Sequence, residues 1–248
     1  MKNKIVAVYR IKNEERWIKR SIESILDVCS EVIILDDGST DKTIEICSKF
    51  KEVVDIHEQK NLPFDETRDR NLLLKLALKR KPDLILPMDG DEMMMPFSKE
   101  ILFEEIDVLY PESSVFEFQY LSPWEQYNQI RYDGVYCNSW SKNLFRIDKN
   151  QKNLSMDETS YPGNAHCSSV PNNILGFNTP VRSNVKFLHF SKFDSTLREE
   201  KYEFVNTLDP NNTATQNYIH IIDSKGPLSG KDGFEFITIP NELTYNIL

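Results

Sequence analysis

Asp89-Gly90-Asp91-Glu92 places three carboxylates within four residues, immediately after the apolar run Ile85-Leu86-Pro87-Met88. A short apolar run bounded by turn residues reads as a buried strand. Carboxylates at the carboxyl end of such a strand face the crevice where open α/β sheets bind ligands. Asp-x-Asp alternation suits a hard divalent cation such as Mg²⁺ or Mn²⁺, which takes oxygen ligands and keeps positions open for substrate phosphates. Acidic turns of this kind are also common as solvated loops, so the triplet takes its weight from the rest of the chain.

Other strand-like runs end in polar turns. Ile5 to Tyr9 exits into Arg10-Ile11-Lys12-Asn13, and Val32 to Leu35 exits into Asp36-Asp37-Gly38-Ser39-Thr40. Between them Trp17, Ile18, Ser21, Ile22, Ile25 and Leu26 recur at helical spacing, which predicts a helix over Glu14 to Val28 with Asn13 as its N-cap. Further helices are expected from Asp41 to Phe50 and from Asp65 to Lys79, separated by a short strand from Val53 to Ile56. The β-α-β-α-β-α-β alternation over the first 92 residues predicts a parallel sheet with helices on both faces and right-handed crossovers. The three polar turns then share one sheet edge. Beyond residue 92 the pattern is less regular. Ser98 to Val108 reads as helix, Val115 to Leu121, Trp140 to Ile147 and Lys186 to Phe190 as strands, and Ser195 to Thr207 as amphipathic helix. Asp148 to Asn184 reads as loop, rich in Asn, Ser, Pro and Gly. The expectation is one domain over 1–248, with a ligand-binding half (1–95) and a less regular half (96–248).

The 248 residues are 40% hydrophobic, enough for a real core, and carry a net charge of −9. That balance argues against binding a nucleic-acid backbone, which needs a basic face. Cys29, Cys47, Cys137 and Cys167 show no Cys-x-x-Cys spacing, so free thiols are expected, not a disulfide frame or zinc site. No apolar stretch approaches the roughly 18 residues needed to span a bilayer. A cytoplasmic protein is the simplest reading, with the sequons at Asn153 and Asn211 as chance matches.

Four segments together resemble glycosyltransferase family 2: Lys12-Asn13-Glu14-Glu15-Arg16, Leu35-Asp36-Asp37-Gly38-Ser39-Thr40-Asp41, Arg70-Asn71 and Met88-Asp89-Gly90-Asp91-Glu92. They occur in the family's order, and the likeness covers roughly residues 3–95 well. It implies a GT-A fold and transfer of a sugar, of hexosyltransferase type, from a nucleotide diphosphate donor, a UDP-sugar foremost. It also implies a Mn²⁺ or Mg²⁺ cofactor and, as in most members, inversion. On the matching positions it implicates Tyr9, Arg10, Asn13, Glu14 and Asp37 in holding base and ribose. Asp37 can equally be a turn-forming residue. Arg70 is the donor-site arginine, with Arg68 as rival. Asp91 is the direct cation ligand and a catalytic group, Asp89 touches ribose or a metal-bound water, and His189 is a third metal candidate, or else a core histidine between aromatics.

An inverting transfer needs a base at the acceptor hydroxyl. Asp157 stands first, ahead of Glu158, Asp133 and Glu117, because Asp157-Glu158 precedes the Pro162-Gly163 turn on the expected acceptor rim. His166 is followed by Cys167 where some relatives carry His-Glu. Trp124, Tyr127, Tyr132, Tyr136, Trp140 and Tyr161 are candidates for stacking on sugar rings. Asp148 to Asn184 is expected to be a mobile lid with few apolar anchors. The acceptor, whether glycan, lipid-linked or protein-linked, is open. Two other readings compete. One is a non-catalytic nucleotide-sugar-binding protein that retains the fold. The other is a doubly wound methyltransferase, which lacks the glycine-rich turn it would need after the first strand.

Overall fold

Apolar alternation along the first strand settles how the layers form. In the computed structural model, which describes residues 3–60, 62–160, 165–208, 221 and 235–243, β1 spans Ile5–Ile11. Its Ile5, Ala7, Tyr9 and Ile11 enter one core and Val6 and Val8 the other, as period-two geometry requires. The first core is closed by α1 (Ile18–Ile25), α2 (Thr43–Cys47) and α4 (Ser98–Glu104) through Ile18, Ile22, Ile25, Cys47 and Leu102. Each of the three fully buried isoleucines of α1 contributes about 1.5–3 kcal/mol. The second is closed by α3 (Glu66–Lys79) through Leu73, Leu74 and Ala77, with Leu72 and Leu76 only partly buried.

The strands β2 (Glu31–Asp36), β3 (Val53–Glu58) and β4 (Leu84–Asp89) join β1 in parallel, in the order β3-β2-β1-β4. Antiparallel strands extend the same sheet past β4. These are β8 (Trp140–Arg146), β6 (Val115–Trp124), β7 (Gln126–Arg131) and β10 (Phe236–Thr238). A short β5 (Glu92–Met94) pairs antiparallel with β9 (Val181–His189), which runs parallel to β6. A final helix, α5, covers Ser195–Leu208.

The expected β-α-β-α-β-α-β order holds, but the first two helices are shorter. Asn13 does not cap α1: it adopts φ 54°, and a turn through Glu14 separates it from Trp17 at the helix start. Asp65 does cap α3, accepting a hydrogen bond from the Arg68 N–H. α4 passes into a π-turn over Glu105–Leu109. β9 begins five residues before the expected Lys186, and β5 and β7 were not anticipated. All four cysteines are free thiols. No helix among the described residues is long and apolar enough to cross a membrane. Tyr161, Pro162, Gly163 and the sequon at Asn211 lie outside the described residues.

Candidate active site

Sheet register brings the three polar strand ends together. Arg10 stands opposite Asp89 in the β1–β4 pair and Ile11 opposite Asp36 in the β1–β2 pair. Asp36 and Asp37 then divide two tasks. Asp36 is buried, and its Oδ2 accepts from the N–H groups of Gly38 (3.2 Å) and Ser39 (3.0 Å), which folds the turn. Gly38 sits at φ +79°, a conformation a side chain resists. Asp37 is thereby left to face the cleft, where Arg10 Nη2 (3.0 Å) and Gln59 Nε2 (3.3 Å) donate to its carboxylate. Beneath both lies Asp69 of α3, fully buried, which accepts from Arg10 Nε (2.9 Å), Gln59 Nε2 (3.0 Å) and Arg68 Nε (2.9 Å). Neither Gln59 nor Asp69 carries a sequence signal, because an aspartate within a polar helix reads as surface charge.

The acidic turn after β4 is closely packed. A Cβ on Gly90 would lie 2.5 Å from Glu14 Cγ and 2.9 Å from its Cβ, so only glycine lets Glu14 pass over the turn. His189, a hundred residues downstream, reaches this turn through the β5–β9 ladder. Glu92 pairs with His189, and the Phe190 N–H donates to the Asp91 carbonyl at 2.9 Å. His189 Nε2 lies 3.5 Å from Asp91 Oδ2. Four carboxyl groups therefore crowd one spot. Burial, with Asp91 and Asp89 as like charges, pushes Glu14 up to about 9. Burial and the same two neighbours raise Glu92, whose Oε2 accepts from the Asp89 N–H at 3.1 Å. Burial also raises Asp89, against the pull of Arg70. Burial acts on Asp91 too, but there the charge and hydrogen bond of His189 outweigh it and hold the carboxyl below the usual range.

The donor types at this turn, carboxylate oxygens with one imidazole, are those a divalent cation takes. Among the described residues no group of three or more His, Cys, Asp or Glu side chains stands close enough together to hold a metal ion by itself.

The surrounding cleft has a volume of about 570 Å³. Arg10, Glu14, Asp37, Arg70, Asp89, Asp91 and His189 all line it; Arg68 does not. Arg70 is held by Glu66 Oε1 (2.7 Å) and lies 3.7 Å from Asp89 Oδ1. The second oxygen of Glu66 accepts from the His166 N–H (2.8 Å), which ties the 165–169 loop to the arginine. Lining residues without a sequence signal are Phe64, Phe204 and Lys201. The Phe64 and Phe204 rings meet edge to face at 5.6 Å, and the Arg10 guanidinium lies 4.6 Å over Phe64.

Several expected site residues stand elsewhere. Tyr9 is fully buried on the α1 side of β1, with its hydroxyl 3.1 Å from Ser21 Oγ, so it does not reach the cleft. Asn13 is exposed and does not line it. Its Oδ1 accepts from the Thr40 N–H and its own N–H donates to Ser39 Oγ, so it splices the first turn to the second. Asp157 is exposed and is not among the lining residues; its carbonyl accepts from Thr67 Oγ1. Glu158 is exposed, Asp133 is buried against Arg131 (2.7 Å), and Glu117 pairs with Arg182 (2.7 Å), all away from the cleft. None of the described aromatic candidates lines it either. Trp124 and Tyr136 sandwich Arg131, Tyr127 packs on Phe193, and Trp140 lies under Arg182. The loop expected to have few apolar anchors buries three, Met156, Val170 and Ile174, in the core beneath α3. Asn71 of α3 also bonds both the N–H and the carbonyl of Met156.

Uncharacterized glycosyltransferases of Rickettsia conorii and Rickettsia felis are each 30% identical over 148 residues, 57% of this chain. The chain spans only 22% of their length. Among solved structures, TarS of S. aureus is similar with a TM-score of 0.46 and 16% identity, over 88% of this chain and 68% of that one. Glucosyl-3-phosphoglycerate synthase from Mycobacterium tuberculosis, in complex with Mn²⁺, uridine-diphosphate and glucosyl-3-phosphoglycerate, is similar with a TM-score of 0.33 and 18% identity, over 51% of this chain and 46% of that one. The parallel β3-β2-β1-β4 half, flanked by helices and continued by antiparallel strands, is the α/β arrangement expected from the sequence. The sequence pattern described as glycosyl transferase family 2 matches residues 7–163, well over half the chain and all three polar strand ends. The chain belongs to glycosyl transferase family 2.

Proposed function

We propose that the protein moves a sugar from a nucleoside diphosphate donor, a UDP-sugar, to a hydroxyl acceptor with inversion, and that Asp91, Asp89 and His189 hold a divalent cation for the step. The carrying observation is that Asp89, Asp91 and His189 share one cleft with the Arg10–Asp37 pair. Its volume falls within the ~300–1,000 Å³ of small-molecule sites. The two groups divide that cleft into a nucleoside end and a diphosphate end. Asp37, oriented by Arg10 and Gln59, accepts from a uracil imide or a ribose hydroxyl, and Phe64 offers a ring face to the base. When bound, the cation supplies Lewis-acid stabilisation of the departing diphosphate oxygen. Arg70 adds a fixed positive charge close to Asp89.

In the transfer the acceptor oxygen bonds to the anomeric carbon as the bond from that carbon to the phosphate oxygen breaks. The electron pair leaves with the nucleotide, and the hydroxyl proton passes to a base. Since Asp157 does not line the cleft, the base role goes to His166, which does. Burial, with Lys201 and Lys192 nearby, outweighs Glu66 and lowers its pKa, which favours a neutral imidazole able to accept a proton.

Calorimetry tests the donor half of this reading. UDP is expected to bind at least ~10-fold more tightly with Mn²⁺ than with a chelator, the signature of a phosphate-bridging cation. Equal affinity in the two conditions would remove the cation from the site. Tight Mn²⁺-dependent binding with no turnover of any UDP-sugar would instead favour the non-catalytic binding protein. Asp37→Ala is expected to raise the apparent donor KM roughly 10–100-fold, the loss of one charge-assisted hydrogen bond, with kcat little changed. That split follows because the contact is made in ground and transition states alike. A fall in kcat at constant KM would move Asp37 out of the nucleoside end.

A further inference from the structure

The cations of the cleft differ in how they are paired. Arg10 is neutralised by Asp37 and Asp69, and Arg70 by Glu66. Lys201 of α5 and Lys12 line the same cleft, and among the described residues neither makes a side-chain hydrogen bond or ion pair; of the two, Lys201 acts on the carboxyl groups at the β4 turn. Its recorded partner is the Phe204 ring, with Nζ 5.9 Å from the centroid. Its charge nonetheless acts on both sides. It lowers the pKa of Asp91 and offsets the rise at Glu14 on one side, and it depresses His166 and Lys192 on the other. Lys192 is brought down to about 8 by burial, Lys201 and Arg131, with Asp91 opposing. The cleft is therefore bipolar. Carboxylates in excess stand at the β4 turn, and ammonium groups in excess stand beside them where β9 leads into α5.

Among the described residues none of the four carboxyl groups at the β4 turn forms an ion pair with Lys201. A cation against the carboxylates and a diphosphate between that cation and the lysine satisfies both excesses at once.

We propose that Lys201 is a ligand of the donor's β-phosphate, which makes α5 one wall of the donor site. This rests on the nucleotide-sugar reading above. The ammonium donates charge-assisted hydrogen bonds to the phosphate oxygens. It receives the negative charge that develops on the nucleotide as the bond to the anomeric carbon breaks.

The test compares UDP with UMP by calorimetry, with Mn²⁺ and separately with a chelator. The comparison covers the wild-type protein, Lys201→Met, which keeps the apolar stem, and Lys201→Arg, which keeps the charge. Lys201→Met is expected to weaken UDP about tenfold or more in both conditions and to leave UMP unchanged, because UMP lacks the β-phosphate. Lys201→Arg is expected to retain most of the preference for UDP. Unaltered melting temperatures establish that both variants are folded, as expected for a half-exposed side chain. An unchanged UDP-to-UMP ratio in Lys201→Met overturns the assignment of Lys201 while leaving the nucleotide-sugar reading in place. Failure of the wild-type protein to bind either nucleotide overturns both. Equal weakening of UDP and UMP reassigns Lys201 to the α-phosphate or nucleoside end and also overturns the proposal.

Discussion

Asp91→Asn is expected to lower sugar transfer by about 10³-fold or more, roughly 4 kcal/mol of transition-state stabilisation, while the protein stays folded. The carboxylate at this position is flanked by Asp89, Glu92 and Glu14, and its neighbours reveal the strain. Burial and the charges of Asp91 and Asp89 hold Glu14 at about 9. Removing the Asp91 charge relieves the repulsion on Glu14 but gives up the attraction to His189 that holds Asp91 below the usual range. The amide also keeps the size of the side chain that packs beside His189. The melting temperature in chelator is therefore expected to fall only slightly, and the stabilisation that Mn²⁺ gives the wild type by binding the folded state is expected to vanish. Turnover near the wild-type level, or full retention of Mn²⁺-induced stabilisation, would take Asp91 out of the metal site. Loss of folding would show it to be a structural carboxylate.

What could be read from the residues follows the range of the forces involved. The β1–β4 half was legible because each strand is a local apolar run closed by its own turn, and crossover handedness leaves few ways to assemble such units. That placed the three polar turns on one edge, as the register of Arg10 with Asp89 and Ile11 with Asp36 shows. Tyr9 was misplaced despite a usable signal. Ile5, Ala7, Tyr9 and Ile11 share one face of a strand, and Arg10 lies on the other. The second half depends on pairings distant in sequence. Only the β5–β9 ladder brings His189 to Asp91, and a three-residue strand inside an acidic segment has no periodicity to detect. β7 was missed because Gln126–Arg131 is largely polar. Asp157 was put on the acceptor rim because it precedes the Pro162-Gly163 turn, and a nearby turn does not say which way a side chain faces. Met156 in fact fixes that loop against α3.

Asp69→Ala is expected to be the most damaging substitution outside the cation site, although Asp69 touches no part of the proposed donor position. Its side chain is fully buried and accepts from Arg10, Gln59 and Arg68, and Arg10 and Gln59 in turn hold Asp37. A buried ion pair adds little relative to an apolar replacement of both partners, but deletion of one partner strands the other. The usual cost is about 3–5 kcal/mol. In a chain of this size that corresponds to a fall in melting temperature of roughly 6–20 °C. The stranded group is Arg10, whose side chain is only 14% exposed and remains bonded to Asp37 on one nitrogen. Released from Asp69, the guanidinium is free to swing with Asp37, so the nucleoside end should loosen as well. Thermal denaturation and UDP titration separate these two effects. Asp69→Asn retains the shape and some of the hydrogen bonds but not the charge, and should fall between Asp69→Ala and the wild type in both measurements. A melting temperature for Asp69→Ala within about 2 °C of the wild type, less than 1 kcal/mol at this chain length, would mean that Arg10 finds another partner. The orientation of Asp37 would then rest on Gln59 alone.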